Sequence, residues 1–431
     1  MKSERNFGFE TKMVHAGHIP DTQHGARAVP IYQTSSYVFY DADHAAELFD
    51  LKQYGHIYSR ISNPTVAVFE ERMAALEGAT GAVATASGMA AQLAAFMTLL
   101  QPGDELAASS HLYGGSITQI THTLKRLGVT VTYVDPTDSK AWERAITPKT
   151  RALYGELIGN PRGSILDLEA VAALAEHHHI PLIIDNTIAT PYLCRPMDFG
   201  AAITVYSATK FIGGHGNSLG GVVLDSGKFD YSGFPSIADP SPQYHNLRFY
   251  DTFGHYGFLM KARVETLRDT GGSLSPMNAF LLLQGVETLS LRLDRQVDNA
   301  LQIARFLEQH PQVAWVAYAG LASHPQHLLA VKYLPKGAGA VLSFGLKKQA
   351  CEDVRQTGKR FIEHLKLFSH LANIGDVRSL VIHPGSTTHQ QLTDEELRDC
   401  GVGPELIRLS VGIENLEDLI WDLDQAFQTL A

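Results

Sequence analysis

The sequence predicts an α/β protein with a mainly parallel central sheet and a smaller C-terminal α/β domain. Three observations predict it. From about residue 64 to residue 225, short apolar runs alternate with stretches of helical period. The runs are apolar on both faces, the pattern of strands covered by helices on either side. A helical stretch around Ser275–Glu308 then leads into a second α/β pattern, with Gly339–Gly345 and Leu406–Val411 as strands. The 431 residues divide accordingly into an N-terminal arm (1–63), a large domain (64–285) and a small domain (286–431), as the length allows.

The first 60 residues show no strong period and read as an extended arm. Asn63-Pro64 is a helix start, with Asn as N-cap and Pro at the first helical position. Val66, Phe69 and Met73 give that helix an apolar stripe, and Gly78 closes it. Strands are expected at Gly81–Thr85, Glu105–Ala108, Val129–Val134, Ala152–Leu157, Leu182–Ile184, Ile203–Tyr206 and Gly221–Leu224. Helices are expected at Met89–Leu100, Ser116–Leu127, Ser139–Ile146 and Leu168–His178. Residues 226–262 are rich in aromatics and prolines and lack a period. That is too long for an ordinary loop, so the segment is expected to be functional or to form an interface.

Composition excludes several functions. Lys and Arg number 35 against 45 Asp and Glu, a formal charge of −10, and there is no basic block. Nucleic acid and anionic membrane are therefore not expected as partners. The opening MKSERNFGFETKM has no apolar run for a signal peptide, and Gly81–Leu100 reads as buried core, not a membrane span. Cys194, Cys351 and Cys400 lie too far apart for a zinc site or disulfide framework, and His177-His178-His179 lacks metal-site spacing. A cytoplasmic, metal-free protein of enzyme size is the reading.

Several residues could carry chemistry. Lys210 follows a strand in Tyr206-Ser207-Ala208-Thr209-Lys210. Burial there would lower its pKa and free its amine as a nucleophile, with Ser207 and Thr209 suited to a phosphate. A surface lysine fits the bare pattern as well. The serine-nucleophile SxxK does not, because its SDN and KTG partners are absent. Asp185 ends the apolar run Pro181–Ile184, where a carboxylate needs a partner such as a pyridinium nitrogen or the turn that follows. Ser87-Gly88-Met89 opens a helix after a strand, a place for a phosphate or simply a tight turn. Tyr58 and Arg60 could donate to a phosphate or pack the arm. Arg408, flanked by apolar residues, wants a carboxylate, either a substrate's or an internal one.

Taken together, these residues resemble the Cys/Met-metabolism family of pyridoxal-phosphate (PLP) enzymes, of the aspartate-aminotransferase-like type I fold. The resemblance spans nearly the whole chain. It is carried in order by YSRISNPT (58–65), ASGMAA (86–91), LYGG (112–115), GNP (159–161), DNTIATPYLCRP (185–196), YSATKFIGGHG (206–216), HPGSTTH (383–389) and IRLSVGIEN (407–415). Within the family it is greatest to the branch acting on O-acetylhomoserine, to which the 226–262 segment and Asn373–Asp376 point.

The resemblance implies a role for each residue. Lys210 would carry PLP, and Asp185 would bind its ring nitrogen. Gly88, Met89, Ser207 and Thr209 would hold its phosphate, Tyr113 would stack on the ring and act in catalysis, and Asn160 would contact the phenolic oxygen. Arg408 would hold the substrate carboxylate, with Asn373 and Tyr58 on the substrate side. Tyr58 and Arg60 would complete the phosphate site from a neighbouring subunit, which implies a homo-oligomer, usually a tetramer built from dimers with shared active sites. The implied reaction is γ-replacement, in which O-acetyl-L-homoserine plus sulfide or a thiol gives homocysteine or methionine and acetate. O-succinylhomoserine sulfhydrylase, cystathionine γ-synthase and the cystathionine or methionine γ-lyases remain open as alternatives. The chain departs from methionine γ-lyases in having Gly115 where they carry cysteine. It departs from the lyases generally in Asn373-Ile374-Gly375, where they have Ser-Leu-Gly.

Overall fold

Asn63 starts the helix Pro64–Glu77 as expected. Its Oδ1 accepts from the Thr65 and Val66 amides, and its own amide donates to Tyr32 O, the Tyr37 hydroxyl and Ser59 Oγ. One buried side chain thus caps the helix and ties the preceding arm to it. Asn63→Ala should lower stability by about 2 kcal/mol, roughly half from the cap and half from the arm contacts. A denaturant midpoint equivalent to less than about 0.5 kcal/mol of loss would refute that linkage. The helix stops at Gly78, whose φ of +81° favours glycine. The computed structural model describes residues 5–348, 353–387 and 402–430.

The strands β1 (Gly81–Thr85), β2 (Glu105–Ser109), β3 (Thr130–Val134), β4 (Thr150–Glu156), β5 (Leu182–Asp185), β6 (Ile203–Ser207) and β7 (Gly221–Asp225) form one sheet, in the order β1-β7-β6-β5-β4-β2-β3. All its neighbouring pairs are parallel except those of β7, which runs antiparallel to both β6 and β1. An antiparallel neighbour needs no crossover helix, so β6 and β7 are joined directly by residues 208–220. That connection carries Lys210. The carboxyl ends of β1, β2, β4, β5 and β6 consequently share one edge with this connection, where ligands of open α/β sheets bind.

A second sheet is built from β8 (Val313–Ala317), β9 (Val341–Leu346), β10 (Ser369–His370), β11 (Leu380–Ile382) and β12 (Leu406–Ser410), in the order β10-β11-β12-β9-β8. The helices Pro276–Val286 and Leu289–Gln309 precede it. Hydrophobic side chains from both sheets and these helices, among them Ile184, Leu293 and Ile407, belong to one continuous core.

Two expectations need correction, the wholly extended arm and the helix at Ser116–Leu127. The arm is not wholly extended, since it contains the helices Phe9–His15 and Ala42–Phe49. The second is capped by Asp41, which accepts from His44 N, and the first buries Met13 in the core. Helices this short draw their stability from caps and packing, so no period announces them. Residues 226–262, too long for an ordinary loop, form a succession of one-turn helices, among them Pro235–Ala238, Phe249–Phe253 and Gly257–Lys261. Their aromatics Tyr231, Phe234, Phe249 and Phe258 are buried with Phe96 and Leu99 in a second core cluster. The helix expected at Ser116–Leu127 starts at Gly114 and is π-wound over Gln119–Leu124. Among the described residues no helix is long and apolar enough to cross a membrane.

Candidate active site

The site forms where strand ends meet the start of a helix. Ser87 caps the helix Gly88–Leu99 by accepting from Ala90 N at 3.2 Å. Gly88 presses against the end of β6 so closely that an added Cβ would lie 2.5 Å from Ser207 Cβ. Only glycine permits this approach, which aims the first amides of the helix at the space beside Ser207 and Thr209. Thr209 Oγ1 is braced by the Gly220 backbone, accepting from its N–H and donating to its carbonyl. The Ser207 amide donates to Thr187 Oγ1 at 2.8 Å.

Lys210 lies one turn further on. Its Nζ donates to Asn373 Oδ1, and burial, with a lesser contribution from the Arg408 charge, holds its pKa below the usual lysine value. Asp185, at the tip of β5, accepts from Thr187 N at 2.9 Å and forms no ion pair among the described residues. Burial pushes its carboxyl upward. Arg408 sits on β12 and donates to Asn160 Oδ1 and Asn373 O, both at 3.2 Å. Burial depresses it to about 10. Of the two partners left open for this guanidinium, an internal carboxylate is not found among the described residues. Tyr113 is 52 % exposed and heads the short helix Gly114–Thr118.

Every predicted site residue except Tyr58 and Arg60 lines one cavity of about 240 Å³. Tyr58 and Arg60 lie outside it in the arm, the Arg60 guanidinium 5.2 Å from the centre of the Tyr58 ring. A larger hollow, about 1180 Å³, includes the first residues of β4 and β5, Thr150 and Leu182, and so lies at the opposite end of the sheet. Its size does not make it the site, because it gathers none of the predicted chemistry. Of the motif HPGSTTH, Thr388 and His389 fall outside the described residues, as do Cys351 and Cys400.

Sequence reasoning missed Glu156, Thr187 and Gln92, which also line the cavity. Glu156 carried the same signal as Asp185, a carboxylate at the tip of a buried strand. Gln92 gave none, being one polar residue within an apolar helix. It accepts from Ser116 and Tyr154 and donates to Gln119. Behind the strands, the Tyr206 hydroxyl donates to Glu77, which burial pushes up to about 8, and Asn186 donates to the same hydroxyl at 2.9 Å. This buried chain braces the tips of β5 and β6.

The residues present fit pyridoxal phosphate. A glycine-opened helix start with two neighbouring hydroxyls suits a dianionic phosphate. A buried acid without a cationic partner suits a pyridinium, and a lysine of depressed pKa suits carbonyl chemistry.

A model of the family described as Cys/Met metabolism PLP-dependent enzyme matches residues 10–428. The chain is 47% identical to the O-acetyl-L-homoserine sulfhydrylase of Leptospira meyeri, covering 99% of this chain and 98% of that protein. It is 50% identical to O-acetyl-L-homoserine sulfhydrylase 1 of Thermus thermophilus, covering 97% and 99%. Among solved structures, one described as an O-acetylhomoserine (thiol)-lyase of Campylobacter jejuni superposes with a TM-score of 0.93 at 40% identity. That match covers 98% of this chain and all of the other, whose structure carries N'-pyridoxyl-lysine-5'-monophosphate.

Proposed function

The chain belongs to the Cys/Met-metabolism family of PLP-dependent enzymes, and on that premise we propose that it exchanges the acetoxy group of O-acetyl-L-homoserine for sulfide or a thiol. The products are homocysteine, or methionine from methanethiol, and acetate. The observation that carries this reading is the single cavity uniting the Lys210 amine, the Asp185 carboxyl and the Arg408 guanidinium, the last with only neutral partners among the described residues.

When bound, PLP supplies an electron sink for negative charge developing at the substrate Cα. The protein does the rest. Arg408 takes the substrate α-carboxylate, held in place by Asn160 and Asn373. The Lys210 amine, its pKa lowered by burial, removes the Cα proton and returns protons as the carbon skeleton changes. Asp185 keeps a proton on the ring nitrogen, an electrostatic effect that grows as water is excluded. Gly88, Met89, Ser207 and Thr209 would hold the phosphate, Asn160 would contact the phenolic oxygen, and Tyr113 would stack on the ring.

Two features favour this activity over its relatives. Among the described residues of one copy, the only lysine or arginine side chains lining the cavity are Lys210 and Arg408, both already assigned, so an uncharged acetyl leaving group fits better than a succinyl one. A Cβ added at Gly115 would come within 2.4 Å of the Tyr113 ring, so the cysteine of methionine γ-lyases would displace that ring. The large domain (64–285) contributes the cofactor contacts and the small domain (286–431) contributes Asn373 and Arg408. Tyr58 and Arg60 would reach the phosphate of a second copy's site, in a homo-oligomer of dimers, with the cytoplasm as its compartment.

The purified protein with O-acetyl-L-homoserine is expected to yield homocysteine only when sulfide is added. Ammonia and 2-oxobutyrate without sulfide would make it a lyase instead. Turnover of the succinyl ester alone would overturn the acetyl assignment.

A further inference from the structure

We propose that Glu156 is a positioning residue for the cofactor ring, its carboxyl group holding the backbones of Tyr113 and Asn160 together beside Asp185. The inference rests on the PLP reading above and adds to it a residue that acts only through others.

The geometry is specific. Glu156 ends β4 and Asp185 ends β5, and the two are register partners across a parallel pair, so both side chains leave the same face of the sheet into the same cavity. Glu156 Oε1 accepts from Tyr113 N, and the carboxyl group also accepts from the Asn160 backbone N–H. Those residues head two separate loops, one following β2 and the other following β4. Tyr113 is to cover the ring face and Asn160 is to meet its phenolic edge, while Asp185 meets its nitrogen. One buried side chain, 8 % exposed, therefore sets the relative placement of two ring contacts beside the third, Asp185.

The electrostatics agree. Burial and the neighbouring Asp185 both push the Glu156 carboxyl well above its usual range, and the two backbone N–H groups oppose that shift. Lys210 and Arg408 line the same cavity, and β4 itself carries the buried Tyr154 hydroxyl, which is engaged with Gln92. A carboxyl group kept in so unfavourable a place, with its acceptor capacity spent on two backbone amides, fits a positioning role better than a packing one.

The test uses the PLP-loaded enzyme carrying Glu156→Gln, which keeps the shape but replaces one acceptor oxygen with a donor. We expect kcat to fall between roughly tenfold and a hundredfold, as small misplacements in a site do. KM for O-acetyl-L-homoserine should change little, because Arg408 is untouched. The visible circular dichroism per bound PLP should weaken and the pH midpoint of the visible band should move, since both report the ring's surroundings. A merely structural role would lower the melting temperature and PLP content together while leaving the dichroism per bound PLP and the pH midpoint alone. That result, or unchanged kcat, would overturn the inference. Should the Gln variant fail to fold, Glu156→Asp, which retains both acceptor oxygens on a shorter arm, is expected to show the same changes more weakly. If the parent protein itself shows no visible cofactor band, the PLP reading falls and this inference with it.

Discussion

Lys210→Ala is expected to abolish turnover and the visible absorbance of the lysine-linked cofactor, while leaving the melting temperature near that of the parent. Lys210 stands in the β6–β7 connection, its amine is desolvated, and its hydrogen-bond partner is the neutral side chain of Asn373. Desolvation and the nearby Arg408 charge hold its pKa below that of an ordinary surface lysine, which favours its use as a base. Loss of a positioned acid–base group alone removes up to roughly 10⁴-fold in rate, and loss of the covalent anchor for the cofactor adds to that. Stability should hold because a buried, poorly solvated amine contributes little to it. Lys210→Arg should not rescue, since a guanidinium stays protonated and cannot act as the base. Turnover within tenfold of the parent in either variant would remove Lys210 from the chemistry.

Arg408→Ala is the second large effect expected. The guanidinium is buried, is depressed to about 10, and finds only the Asn160 side chain and the Asn373 carbonyl as partners. A cation so placed gains most of its stabilisation when an anion arrives. Removing it should weaken binding of the amino-acid substrate by about 2–5 kcal/mol, or between roughly 30-fold and 4,000-fold in KM. The fall in kcat should be smaller than the rise in KM, because the carboxylate contact is made in ground and transition states alike. Arg408→Lys keeps the charge but not the two-pronged geometry and should recover only part of the loss. Saturation at the parent's substrate concentration would refute the carboxylate role. Asn160 and Asn373 also lose a partner in the alanine variant, so the lysine variant separates charge from scaffolding.

Much of the site was legible because its code is local. Asn63-Pro64 and Gly78 mark the ends of a helix through hydrogen bonds and backbone angles spanning a few residues. Ser87-Gly88-Met89 announces a turn between strand and helix for the same reason, and Asp185 stands out as a charge at the end of an apolar run. Glu156 could have been found by that rule, but only the register with Asp185 gives it meaning, and register depends on residues far away in the chain. The 226–262 segment was unreadable for a different reason. Its one-turn helices, two of them beginning at proline, are too short to show a period, and their order comes from aromatics packed against the helix Gly88–Leu99.

By itself, the sequence determined the α/β class, the helix and strand succession, and the residues able to do carbonyl and phosphate chemistry, because caps, periodicity and side-chain chemistry act over a few residues. Only the tertiary structure decided that β7 runs antiparallel between β1 and β6, which turns residues 208–220 toward the common strand ends. It alone brought Arg408 and Asn373 from the second sheet's side to Lys210, and left the buried guanidinium with neutral partners among the described residues. The physical reason is range. A cap or a turn is settled by neighbours in the chain, whereas the desolvation and the approach that give Lys210, Asp185 and Arg408 their chemistry come from residues up to a few hundred positions away, which meet only when the core closes.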